Sequence, residues 1–273
     1  MIRLHSILIF LFLLFSYYVA GAQKLVVIQS AHLHMNDSVY VFTPKDYQTG
    51  DTCPTLYLLH GFGGNYKDWS GKTDLQALAD QYGFIIICPD GFSNGWYVNS
   101  NNPRGPQWRS FFERELYPQM QSAYFIHPDR CFITGLSMGG HGAVNIFIDN
   151  PDRFRAAGTM SGVMDLHHTP LRDKYISELL GEYSASNARF YTESAINRLE
   201  LLGETDKLIV INCGYDDYYA FSSKLFADKC RELKIPFIQT MSPGDHSWTF
   251  WTFAVKKQLD IFAQLVKGEN MGY

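Results

Sequence analysis

The 273-residue sequence predicts an α/β fold, in which helices cover both faces of a mostly parallel central sheet and an antiparallel hairpin forms its N-terminal edge. Three observations lead there. Six short runs are apolar almost throughout rather than alternating, as strands buried on both faces require. Segments with a helical pattern separate them, which is the arrangement that right-handed crossovers between parallel strands produce. Finally, 46% apolar against 18% charged residues can bury a large core and excludes a disordered chain.

The elements follow in order. Arg3 and His5 precede an apolar run over residues 6–19 and the small triplet Ala20-Gly21-Ala22, the layout of a secretory signal peptide. That run of about 14 residues is shorter than the ~20 a spanning helix needs, and no cysteine follows it for lipid attachment. Cleavage is therefore expected after Ala22, leaving a periplasmic or secreted protein with no stable membrane anchor. Residues 23–273 are expected to form one domain.

The hairpin is predicted from β-rich stretches at 24–29 and 38–43, with its turn around Asn36-Asp37. His32 and His34 fall near it on one strand face and read as surface histidines rather than a metal pair. Core strands are predicted at 55–59, 84–88, 131–134, 156–160, 208–213 and 236–241. Helices are predicted at 73–82, 111–123, 138–149, 222–233 and 252–267. An insertion at about 165–202, carrying Tyr175, Tyr183, Phe190 and Tyr191, is expected to lie over one end of the sheet.

The net charge of −4, with no basic run, argues against nucleic acid as a partner. Five cysteines at wide spacing give no disulfide framework, and without a C-x-x-C pair no zinc site is expected. Neither metal nor cofactor is predicted.

The chemistry is concentrated in loops. The run 131–134 leads directly into Gly135-Leu136-Ser137-Met138-Gly139 and then a helical pattern. Strand, G-x-S-x-G turn and helix together form a nucleophile elbow: the serine is held exposed on a sharp turn at a helix N-terminus, where the dipole favours developing negative charge. Gly135 and Gly139 stand where a side chain would collide with strand or helix. A serine hydroxyl needs a base, and the base needs an orienting group. His141 is one turn along the helix that carries Ser137 and cannot readily reach back. His167 and His168 fall in the insertion. His246 lies in Ser242-Pro-Gly-Asp-His-Ser-Trp just beyond the last strand, where active residues of open α/β sheets gather, and is the predicted base. For the acid, Asp216, Asp217 and, less favoured, Asp165 remain open on the residues alone.

The 55–59 strand runs into Leu58-Leu59-His60-Gly61-Phe62-Gly63-Gly64. Acyl transfer needs two donors at the developing oxyanion, and the backbone N–H groups of Phe62 and Met138 are the predicted pair. His60 precedes Ser137 and reads as a buried brace for this loop.

Five stretches together resemble the esterase D-like group of α/β-hydrolases, which includes S-formylglutathione hydrolases, tributyrin-type carboxylesterases, feruloyl esterases and mycolyltransferases. They are LLHGFGGNYKDW from Leu58, NGWY from Asn94, GLSMGGHGA from Gly135, CGYDD from Cys213 and GDHSW from Gly244. The resemblance implies the α/β-hydrolase fold and a serine esterase that acts on a small-molecule or carbohydrate ester. Its acid follows glycine in a G-x-x-D pattern, which lands on Asp217. The export signal makes the chain more similar to the secreted ester-cleaving members than to the cytosolic ones.

The expected function is thus a secreted carboxylic-ester hydrolase with Ser137, His246 and Asp217 as its triad. An acyltransferase using the same acyl-enzyme and a non-catalytic binding protein are the alternatives. Trp96, Tyr97 and Trp248, with Phe62, are expected to ring the site and to favour acetyl, other short-chain or feruloyl esters over long-chain ones.

Overall fold

The computed structural model describes residues 23–268. The predicted signal segment lies outside them. Eight strands form one sheet: β1 (Gln23–Ser30), β2 (Met35–Phe42), β3 (Thr55–Leu59), β4 (Ile85–Pro89), β5 (Cys131–Gly135), β6 (Ala156–Met160), β7 (Leu208–Gly214) and β8 (Phe237–Ser242). Their spatial order is β1-β2-β4-β3-β5-β6-β7-β8. β1 and β2 are antiparallel, β2 meets β4 antiparallel, and every pairing from β4 to β8 is parallel. This is the predicted α/β-hydrolase architecture.

Continuous apolarity in the central strands has the predicted cause. Tyr57, Leu59, Ile85, Ile87 and Ile133 point into one core; Leu56, Leu58, Ile86, Cys88 and Phe132 point into the other. The first core is closed by the helix spanning 108–124, by helix Met138–Asp149, by the insertion and by helix Ala220–Glu232. The second is closed by helices Leu75–Tyr82 and Trp248–Lys267. With both faces covered, no strand position of β3 to β7 is left to solvent.

Three local predictions are corrected. The hairpin turns at residues 31–34, pairing Ser30 with Met35, rather than around Asn36-Asp37. His32 and His34 therefore sit in the turn and share no strand face: His32 Nδ1 lies 2.8 Å from Glu115 Oε1, and His34 is exposed in the left-handed region. Asp37 is instead a strand residue buried opposite Ile28. Burial, aided by the nearby Asp90 charge, pushes its carboxyl up to about 8. The helix predicted at 111–123 begins at Trp108 and carries a π-helical stretch at Phe112–Leu116. The last helix begins at Trp248, directly after an extended Ser247, and not at 252.

The insertion forms short helices, among them Ala188–Glu193 and Ala195–Arg198. It is pinned to helix Met138–Asp149 by polar contacts invisible in the sequence. Arg198 Nη1 donates to Asn145 Oδ1 (2.6 Å), and its other terminal nitrogen pairs with Asp149. Arg109 bridges Asp149 and Glu193.

Candidate active site

Because β3 to β8 run parallel, their C-terminal ends lie along one edge of the sheet, where open α/β sheets build their sites. Phe62 follows β3, Trp96 and Tyr97 follow β4, Ser137 follows β5, Asp217 follows β7 and His246 follows β8.

Ser137 occupies a strained turn. Its φ of 50° and ψ of −115° fall in a region that side chains rarely enter, at a cost of order 1–3 kcal/mol. The surroundings enforce it: Ser137 N–H donates to the Met160 carbonyl (2.9 Å), and the Ser137 carbonyl accepts from His141 N–H (3.1 Å). A Cβ on Gly135 would lie 2.5 Å from the Gly139 carbonyl carbon, and one on Gly139 would lie 2.5 Å from the His60 carbonyl oxygen. The elbow helix can approach the β3 loop this closely only because both positions are glycine.

The three side chains align. His246 Nε2 is 3.0 Å from Ser137 Oγ, and His246 Nδ1 is 2.9 Å from Asp217 Oδ2. With its Nδ1 proton donated to the carboxylate, Nε2 is left as an acceptor for the serine hydroxyl. Asp217 is buried and Oδ1 also accepts the Tyr219 N–H (2.8 Å). Burial alone would raise its pKa, but hydrogen bonds from His246, Ser161 and Tyr219 outweigh it and hold the carboxyl below its ordinary value. It stays ionised, as a partner for an imidazolium must.

The two neighbouring carboxylates are elsewhere. Asp216 is exposed. Asp165 caps the short helix Leu166–His168, accepting from His167 N–H (2.9 Å) and pairing with the His168 ring (2.8 Å). His168 is exposed, whereas His167 is half-buried against Tyr183 and Phe190. His141 is fully buried, 2.9 Å from the Glu193 carbonyl, and burial holds its imidazole down to about 4. It anchors the insertion.

The β3 loop is braced by His60. His60 Nε2 accepts the Gly91 N–H (2.8 Å), which places the ring proton on Nδ1, 2.9 Å from the Gly61 carbonyl that accepts it. The Tyr97 hydroxyl donates to the His60 carbonyl (3.0 Å). Gly63 N–H is taken by Ser93 (2.7 Å), while the Phe62 and Met138 N–H groups have no acceptor among the described residues. Two N–H groups left without acceptors, one of them next in the chain to the buried Ser137, are the kind of donor pair an oxyanion requires.

The expected aromatic rim is not where the sequence put it. Trp96 and Tyr97 are completely buried. Both have left-handed backbones, φ 51° and 56°, which turn the rings inward: Trp96 against His141, Tyr97 against Trp108. Trp248 is the first residue of the last helix and packs edge-on against Trp69 and Trp251. Phe62 is half-buried against Tyr175. Trp96→Ala is accordingly expected to destabilise the fold by about 3–5 kcal/mol, as for other large-to-small core changes, and to leave the ratio of kcat/KM between acyl chains unaltered. Urea unfolding with parallel assays on two esters checks this; a full-stability variant with altered acyl preference would return Trp96 to the site.

Sequence reasoning missed Tyr218, whose ring lies 4.4 Å from that of His246 and is 67% exposed. The only signal was its place beside the acid in the Asp216-Asp217-Tyr218-Tyr219 run. Among the described residues no His/Cys/Asp/Glu group has metal-binding geometry, and no helix is long and apolar enough to cross a membrane. All five cysteines are free, and burial pushes Cys213 and Cys230 up to about 12.

A family model described as "Putative esterase" matches residues 30–260. The S-formylglutathione hydrolase of Mus musculus is 28% identical over 255 residues, covering 84% of this chain and 89% of that protein. Among solved structures, a fluorophosphonate-binding serine hydrolase of Staphylococcus aureus superposes with a TM-score of 0.80 at 21% identity, covering 89% and 99% of the two chains. A ferulic acid esterase superposes with a TM-score of 0.77 at 22% identity, covering 90% and 99%.

Proposed function

We propose that this chain, which belongs to the putative esterase family, is an exported serine esterase that cleaves short-chain or aromatic acyl esters through an acyl-enzyme on Ser137. The observation that carries the reading is the line Ser137 Oγ, His246 Nε2, His246 Nδ1, Asp217 Oδ2, with successive hydrogen bonds of 3.0 and 2.9 Å. His246 takes the Ser137 proton as Oγ attacks the ester carbonyl, and the Phe62 and Met138 N–H groups hold the oxyanion. His246 then returns the proton to the leaving oxygen, and water repeats the cycle on the acyl-enzyme. Export is supported by the sequence pattern before Gln23. A small acyl group is supported by the S-formylglutathione hydrolase relative, and an aromatic one by the ferulic acid esterase neighbour.

The test holds the alcohol fixed and varies the acyl group through acetyl, butyryl, feruloyl and palmitoyl. We expect kcat/KM for the best of the first three to exceed that for palmitoyl at least about tenfold, the discrimination that roughly 1.4 kcal/mol of differential transition-state binding gives. A preference for palmitoyl overturns the acyl assignment. Running the same assay with added alcohol measures transfer, and hydrolysis as the major product is expected.

A further inference from the structure

The structure holds a cluster of aromatic rings around His246. Three rings lie against His246: Trp251 at 4.9 Å, Tyr219 at 5.3 Å and Tyr218 at 4.4 Å. Trp251 and Tyr219 are 7% and 4% exposed and support the imidazole from within, whereas Tyr218 is 67% exposed. It closes over His246 yet presents most of its own surface to solvent. Tyr215 and Phe221, flanking it in the chain at the end of β7 and the start of helix Ala220–Glu232, are 62% and 72% exposed. Nothing in the fold requires three large rings in water at this point, and exposed apolar surface beside a reacting group marks a binding surface.

The chemistry of the step says which half of the ester meets it. When the tetrahedral intermediate collapses, the bond between the acyl carbon and the leaving oxygen breaks, and the proton on His246 Nε2 passes to that oxygen. The leaving oxygen must therefore come within hydrogen-bond reach of Nε2, and the alcohol it carries extends from the imidazole. Ser137 Oγ is bonded to the acyl carbon and the oxyanion donors hold its oxygen, so the acyl chain is a different substituent from the one that meets Nε2. A ring resting on His246 thus meets the alcohol.

The geometry points to Tyr218 as a specificity-determining contact for the alcohol half of the ester, stacking on a flat-faced ring, either an aryl ring or the C–H face of a pyranose. This rests on the esterase reading above and adds the class of alcohol to it. A flat ring offers an aromatic side chain an offset or edge contact that a short alkyl chain cannot match.

The experiment holds the acyl group at acetyl and varies the alcohol: ethyl acetate, benzyl acetate and methyl 6-O-acetylglucopyranoside. All three are esters of primary alcohols, so their intrinsic reactivities are similar. In the wild type kcat/KM should favour a ring-bearing ester over ethyl acetate. Tyr218→Ala should lower that ratio about three- to tenfold, the range of a single aromatic stacking contact, and Tyr218→Phe should restore it. A fall confined to the benzyl ester identifies an aryl alcohol; one confined to the glucoside identifies a sugar. An unchanged ratio in Tyr218→Ala, or an equal fall for all three esters, overturns the inference and leaves Tyr218 as a cover for His246. Ser137→Ala assayed alongside separates the failures: its inactivity together with an unchanged Tyr218→Ala ratio sinks only the alcohol subsite, whereas its full activity sinks the esterase reading itself.

Discussion

Ser137→Ala is expected to lower kcat by about 10³–10⁶, leaving only the catalysis that binding and the oxyanion donors supply. The size follows from the arrangement. Met138 and Phe62 keep their N–H groups in the variant, so the site still favours a tetrahedral oxyanion, but nothing remains to form the acyl-enzyme. The fold should survive, because the backbone bonds from Ser137 N–H to Met160 and from His141 N–H to the Ser137 carbonyl do not involve the hydroxyl. Alanine retains a Cβ, so the φ of 50° stays as costly as before and stability should change little. Steady-state kinetics beside a thermal melt reads both quantities. A folded Ser137→Ala protein with near-wild-type turnover removes Ser137 from the mechanism.

The frame of the molecule was legible because burial writes itself into composition. A strand covered on both faces is apolar at almost every position, with only small residues such as Thr55, Thr134 and Thr159 interrupting, so 55–59, 131–134 and 156–160 stood out without any knowledge of their neighbours. Ser137 was equally legible, since only a strand, a glycine-flanked serine and a helix in that order build such a turn, and parallel strands put His246 at the same edge. What failed was the direction of individual side chains in loops. Trp96 lies in an Asn/Gly-rich stretch that reads as surface, yet two consecutive left-handed residues, Trp96 and Tyr97, rotate both rings inward. Left-handed conformations at tryptophan and tyrosine are imposed by tertiary packing and leave no local signature. The last helix starts four residues earlier than its apolar period suggested, and its first turn is already packed on Trp69. Tyr218, whose ring lies against His246, carries no local signal beyond its place next to Asp217.

The choice between Asp216 and Asp217 turned on resemblance, and geometry makes it testable. Asp217→Asn is expected to cut kcat by about 10³–10⁴, near the loss seen when a triad acid elsewhere is made an amide, while Asp216→Asn stays within about twofold of wild type, as exposed substitutions usually do. The two oxygens of Asp217 are not equivalent: Oδ1 accepts the Tyr219 N–H at 2.8 Å and lies 3.2 Å from His246 Nδ1, while Oδ2 is the nearer acceptor for the Nδ1 proton at 2.9 Å. An asparagine has one oxygen. The Tyr219 N–H is a fixed donor on the backbone entering helix Ala220–Glu232, so the amide oxygen must turn toward it, and the NH₂ group then faces His246. Facing a donor, Nδ1 becomes an acceptor, and the ring proton moves to Nε2. The imidazole then presents a proton to Ser137 Oγ instead of a lone pair, and it can no longer act as base. Loss of the carboxylate charge also removes the partner of the imidazolium formed in the transition state. The two variants are compared by kcat on one acetyl ester at fixed pH, with thermal melts to exclude unfolding. If Asp216→Asn proves the more damaging of the two, the orienting acid is Asp216 and the hydrogen bonds described for Asp217 do not serve catalysis.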